Sequence, residues 1–172
     1  MRYNSINSCE CANGLGWGVS LFTQGCNLLH CKGCFNPETW DFKGGKPVTT
    51  EVERKIYELL KPEYITRFSV LGGEPLSPQN FDQLPYIILT IRTNYPEKKI
   101  WMWTGYTWDE IQEKLKQPTK LWVILNNIDY LVAGPFIQEE KDLTLKWRGS
   151  RNQEIIDVQE SINQKKKVLY IK

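Results

Sequence analysis

Two apolar spacings alternate along the chain. Gly18 to Thr23 (GVSLFT) is a short β-prone run that stops at Gln24-Gly25, which predicts a strand delivered into a loop. Val52, Ile56, Leu59 and Leu60 then recur on one helix face, behind Pro47 and a Thr50-x-x-Glu53 capping box and before Pro62. Arg67 to Leu71 (RFSVL) reads as a second strand running straight into Gly72-Gly73-Glu74-Pro75. Ser77-Pro78 opens another helical stretch, with Leu84, Ile87, Ile88 and Ile91 on one side. A third unit has Lys99 to Trp103 as strand and Thr104-Gly105-Tyr106 as loop, and the box Thr107-x-x-Glu110 opens a helix through Ile111 and Leu115. Asp129 to Ala133 forms a fourth strand, closed by Gly134-Pro135. The apolar run from Leu121 to Ile128 fits helix or strand by period alone and is assigned to helix.

Strands alternating with helical patterns point to βαβ units around a parallel sheet. Gly25-Cys26, Gly72-Gly73-Glu74, Thr104-Gly105-Tyr106 and Gly134-Pro135 each follow a predicted strand, so they belong together at the carboxyl edge of one sheet. In α/β sheets and barrels, ligands bind at that edge. A chain of 172 residues holds one ordinary core. The expected architecture is α/β, a compact partial (β/α) barrel of four to six strands forming a single domain over residues 1–172. Neither a linker nor a low-complexity segment interrupts it, and the basic run Lys165 to Lys167 reads as solvated surface.

Charge narrows the partners. Lys and Arg total 22 against 20 acidic residues, which leaves no strong field for nucleic acid or an anionic membrane. No apolar run approaches the roughly 20 residues of a membrane helix, and Met1 to Cys9 is polar, without a signal region. A soluble, cytoplasmic protein is the expectation. Seven Trp, eight Tyr and six Phe make the chain aromatic-rich, a feature of cores more often than of ligand sites. All five cysteines stand at or before Cys34. An odd number so crowded, with no export signal, argues for metal or redox chemistry over a disulfide framework.

Cys26, Cys31 and Cys34 offer three thiolates in a C-x4-C-x2-C spacing. Four cysteines close an iron–sulfur cluster and suit electron transfer, whereas three leave one iron open to bind and activate something else. Plant-type ferredoxins begin with this spacing but add a distant fourth cysteine, and no cysteine follows Cys34. A structural zinc site is the alternative, with His30, Cys9 or Cys11 as fourth ligand.

These residues carry a resemblance. GVSLFTQGC, CKGCFNPETWDF, GGEP, WTGY and WRGSRNQ occur in this order, and together they resemble the radical S-adenosylmethionine enzymes over a core from about Asn13 to Val158. WTGY, the AGPF segment and RGSRNQ narrow the likeness to the activases of anaerobic (class III) ribonucleotide reductases. The resemblance implies a [4Fe-4S] cluster on Cys26, Cys31 and Cys34, whose remaining iron is chelated by the amino and carboxylate groups of S-adenosyl-L-methionine. It implies reductive cleavage of that cofactor to a 5′-deoxyadenosyl radical, which takes hydrogen from a glycine of the reductase large subunit. A small electron carrier such as flavodoxin or ferredoxin would supply the electron, and no catalytic residue beyond the cluster and cofactor is implied.

For the cofactor, the resemblance points to Gly33, Cys34, Phe35, Gly72, Gly73, Glu74, Thr104 and Arg148. Chemistry agrees in part: paired glycines let backbone approach a ligand, Glu74 can accept from an ammonium group, and Arg148 can grip a carboxylate. Trp103 and Tyr106 are candidates for the sugar or adenine, or simply for the core. The family usually spaces its cysteines C-x3-C-x2-C, while here Asn27 to His30 separate the first two. Either Cys31 or His30 could therefore be the middle ligand, and thiolate chemistry favours Cys31. Cys9 and Cys11 receive no role. The rival readings are another radical enzyme of the superfamily, such as a pyruvate formate-lyase activase, and a zinc-stabilised binding module without activity.

Overall fold

In a computed structural model, residues 1–28, 31–115 and 120–171 are described. The strands are β1 (Arg2–Glu10), β2 (Trp17–Thr23), β3 (Lys46–Pro47), β4 (Ile65–Gly72), β5 (Lys99–Thr104), β6 (Tyr130–Ala133), β7 (Glu154–Asp157) and β8 (Leu169–Ile171). The helices are α1 (Thr50–Leu60), α2 (Leu84–Asn94), α3 (Trp108–Lys114), α4 (Lys120–Asn127) and α5 (Val158–Gln164). All eight strands join one sheet in the order β3-β1-β2-β4-β5-β6-β7-β8. Its centre, β2-β4-β5-β6, is parallel, and both flanks are antiparallel.

The fold is thus α/β, as the alternating pattern predicts, but the sheet is mixed and exceeds the expected four to six strands. The flanks account for the difference. β1 (RYNSINSCE) has too few apolar positions to show a strand's period, although Ile6 pairs with Leu21 and Asn7 with Ser20 across the ladder. β3 and β8 are only two and three residues long. In both cases, pairing to a strand already in place supplies the hydrogen bonds that local sequence does not announce.

The two faces of the sheet differ. Along β5, Ile100 and Met102 enter the main core with Val19, Leu21, Val70, Ile87 and Ile91, all fully buried. Each such side chain is worth roughly 1.5–3 kcal/mol of burial, which holds α1 to α5 on that face. The alternate residues Trp101 and Trp103 point the other way, into a smaller aromatic cluster with Val132, Ile155, Trp147 and Tyr170. Beside it lies a buried polar floor. The Arg67 guanidinium, fully buried, pairs with the Glu10 carboxylate at 2.6 Å and donates to Ser69 Oγ at 2.6 Å.

Two predicted helix starts shift. The box at Thr50 does not form: Thr49 is the N-cap residue, and Glu53 N–H donates to its carbonyl at 3.0 Å. Ser77-Pro78 opens a short 3-10 turn (Pro78–Asn80), and α2 begins only at Leu84. The Thr107–Glu110 box forms in both directions, and the Leu121 run is helical, as assigned. Among the described residues, no helix is long and apolar enough to cross a membrane.

Candidate active site

The parallel strands β2, β4, β5 and β6 all point their carboxyl ends the same way, so the four loops singled out in the sequence meet at one edge. β2 ends at Thr23, and the cysteine loop starts two residues later. Gly25 and Cys26 donate their N–H groups to the carbonyls of Thr39 and Trp40 at 2.7 and 3.1 Å, which ties the base of the loop to the segment that follows it. Cys31 to Cys34 is a tight turn. Cys34 N–H donates to the Cys31 carbonyl at 3.1 Å, and Gly33 sits at φ 74°, the positive value a type II turn demands at its third residue. The x2 spacing of the last two cysteines is therefore turn chemistry.

The Gly72-Gly73-Glu74 segment lies directly on this base. Gly73 and Glu74 donate their N–H groups to the carbonyls of Thr23 and Gly25, at 2.9 and 2.8 Å. A Cβ on Gly73 would stand 2.3 Å from the Gly25 carbonyl oxygen, so only glycine permits the approach. The sequence reading explained these glycines by a ligand; the structure explains Gly73 first by the cysteine loop.

Glu74 is 1% exposed. Its Oε1 accepts from Leu76 N–H and Thr104 Oγ1, both at 2.8 Å, and its Oε2 from Gly105 N–H at 2.9 Å. Burial pushes its carboxyl up to about 7, against the pull of those hydrogen bonds. Burial also raises the Cys26 thiol, with the Glu74 charge adding to the effect.

Above these loops a cavity of about 590 Å³ opens, within the range of small-molecule sites. Cys26, Cys31 and Cys34 line it together with Phe35, Gly72, Gly73, Glu74, Thr104 and Arg148. Of the residues expected around a cofactor, Gly33 stays off the wall, shaping the turn instead, and so does Tyr106. Arg148 is held by its Nη1 donating to the Gln153 carbonyl at 2.9 Å. Phe35, half-exposed at the rim, packs edge-on against Phe136 with ring centroids 4.9 Å apart. Arg151 does not reach the cavity and pairs with Asp142. Cys9 and Cys11 are exposed and line neither this cavity nor a smaller one behind the loop. His30 lies outside the described residues.

The chain matches the family described as "4Fe-4S single cluster domain" over residues 12–156. It is 40% identical over 157 residues to the anaerobic ribonucleoside-triphosphate reductase-activating protein of Vibrio cholerae serotype O1, covering 90% of this chain and 97% of that one. The protein of the same name from Salmonella typhi is 40% identical over 155 residues (89% and 96% covered), and that from Enterobacteria phage T4 is 34% identical over 157 (90% and 93%). The chain belongs to the family of anaerobic ribonucleoside-triphosphate reductase-activating proteins.

Within that family, the donor set here fits a cluster. Three thiols open onto one cavity, and among the described residues no three acidic, histidine or cysteine side chains converge on a single point. A cluster takes its thiolates one per iron, and these three thiols share one cavity wall. Sequence reasoning missed several wall residues. Phe22 and Leu71 lie opposite each other near the ends of β2 and β4 and share the cavity with Trp147. Phe22 and Leu71 could have been found from the strand period; Trp147 opens the WRGSRNQ segment already singled out in the sequence and reaches the wall from a loop where its own φ is 59°. Tyr106, a candidate for sugar or adenine, turns away into a second cavity of about 220 Å³.

Proposed function

We propose that this chain is a glycyl-radical-generating activase whose cysteines Cys26, Cys31 and Cys34 hold a [4Fe-4S] cluster beside a site for S-adenosyl-L-methionine. Its protein substrate in this reading is the large subunit of the anaerobic ribonucleoside-triphosphate reductase, the enzyme that the relatives' names carry. When bound, the cluster would supply one electron for reductive cleavage of the cofactor's sulfonium carbon–sulfur bond, the chemistry that generates a glycyl radical on the substrate. A small carrier such as flavodoxin or ferredoxin is the electron donor in this reading. The parallel strands β2, β4, β5 and β6 act as part of a partial (β/α) barrel within one domain, and the protein works in the cytoplasm.

One observation carries the proposal: three thiols and the Gly73-Glu74 loop share one cavity, and that loop is hydrogen-bonded to the Thr23 and Gly25 carbonyls at the base of the cysteine loop. Each residue then has a task. The thiolates of Cys26, Cys31 and Cys34 would hold the cluster, three protein ligands for a group that four would close. Glu74 offers about four acceptor positions, of which the protein fills three, so one is free for the cofactor's ammonium group. Arg148 faces the same space and supplies a cation for the carboxylate. Phe35 and Trp103 provide apolar walls that exclude water from a reactive intermediate.

The test is anaerobic incubation of the reconstituted protein with dithionite, S-adenosyl-L-methionine and the reductase large subunit. The expected result is a glycyl doublet in the electron paramagnetic resonance spectrum. A reconstituted protein without visible absorption, giving no doublet, would sink the proposal.

A further inference from the structure

The lengthened cysteine loop is fastened at a point that the family pattern does not foresee. Asn27 Nδ2 donates to the Tyr106 hydroxyl at 2.8 Å. The next residue, Leu28, packs partly buried against the main core, and its Cδ1 lies 2.4 Å from where a Cβ on Gly105 would stand. Two adjacent residues of the cysteine loop thus engage two adjacent residues of the β5–α3 loop, one by a hydrogen bond and one by packing.

Tyr106 is a firm partner for such a contact. It is 9% exposed, its carbonyl accepts from Gly134 N–H at 2.8 Å, its N–H donates to Thr104 Oγ1 at 3.2 Å, and the Lys114 ammonium lies 4.7 Å from its ring centroid. The contacts close a ring. The Gly25 carbonyl accepts from Glu74 N–H, the Glu74 carboxylate accepts from Thr104 and Gly105, and Gly105-Tyr106 meets Leu28 and Asn27. Residues 25 to 28 are therefore held at both ends, with Cys26 between the two fastenings.

We propose that Asn27 and Leu28 clasp Gly105-Tyr106 so as to fix the backbone around Cys26, which makes Tyr106 a positioning residue for the cluster. This rests on the reading of Cys26, Cys31 and Cys34 as its ligands. An unclasped x4 loop would have more conformations than an x3 loop, and the ordering entropy would be lost at cluster binding. The clasp takes that cost at folding instead, leaving the ligand set organised before iron arrives.

Two variants of the full chain test this: Tyr106→Phe, which removes only the acceptor oxygen, and Asn27→Ala, which removes the donor. After anaerobic reconstitution, each should release iron to a chelator about 5- to 10-fold faster than the native protein, as expected for one lost hydrogen bond. The double variant should be no faster than either single one, because both break the same contact. The bound cluster's midpoint potential should shift alike in both. Tyr95→Phe serves as control: its hydroxyl donates to the Tyr57 carbonyl at 3.0 Å, remote from the loop, and its loss should lower unfolding stability without changing iron release or potential. Native release rates in both variants, or effects that simply add, overturn the clasp while leaving the ligand assignment intact. A native chain that takes up no iron and sulfide overturns that assignment and the clasp with it.

Discussion

At the residue scale, the three cysteines proposed as cluster ligands line the cavity, while Cys9 and Cys11 are exposed and do not. Cys26→Ala, Cys31→Ala and Cys34→Ala should each abolish the visible absorption of the reconstituted protein, whereas Cys9→Ala, Cys11→Ala and His30→Ala should retain it. Iron and sulfide analysis reads the outcome, and retention in Cys31→Ala with loss in His30→Ala would reverse the assignment of the middle ligand. Gly73→Ala tests the close approach of the loops. Its Cβ meets backbone, which cannot swing aside, so urea unfolding should show a loss of about 2 kcal/mol or more, and cluster uptake should fall as well.

At the scale of elements, the floor under the parallel strands makes a pH prediction. Burial raises the Glu10 carboxyl, but hydrogen bonds from Ser20 and Arg67 and the charge of Arg67 outweigh it and hold the group below the usual carboxylate range. A depressed folded-state pKa means that the unfolded chain binds the proton first. The stabilisation is therefore present in full above the unfolded value of about 4.3 and is lost as pH falls through the folded one. Unfolding free energies measured from pH 6 down to pH 3 should decline less steeply in Glu10→Gln than in the native chain. Equal slopes would mean that Arg67 does not stabilise the Glu10 charge. The aromatic cluster on the same face makes a second case. Tyr170 of β8 lies with its ring 4.3 Å from Tyr130 and 5.7 Å from Trp101, centroid to centroid. Tyr170→Ala should cost about 2 to 3 kcal/mol, visible in unfolding and in altered tryptophan fluorescence.

For the whole molecule, a group that binds only the folded state must stabilise it by mass action. The reconstituted protein should thus unfold at higher temperature than the metal-free one, and the difference should vanish in Cys26→Ala. The architecture leaves one edge of the sheet free for the proposed protein substrate. Helices cover one face of the sheet, loops gather at the carboxyl edge, and the cavity mouth carries Phe35 and Leu143, 53% and 77% exposed, where a partner can meet them.

What the sequence by itself determined was local and chemical. Four strand-to-loop junctions are legible because an apolar run ends in glycine at each, and three thiols in nine residues announce a metal loop whatever surrounds them. Tertiary structure alone decided the rest, because it depends on pairing between distant segments. β1 pairs with β2 and β3 on either side, Gly73 lies against a carbonyl 48 residues earlier, and Tyr106 packs into the main core with its hydroxyl bonded to Asn27. Spacing along a chain records what each residue can do; which neighbour it meets is set by packing, and no local pattern encodes that.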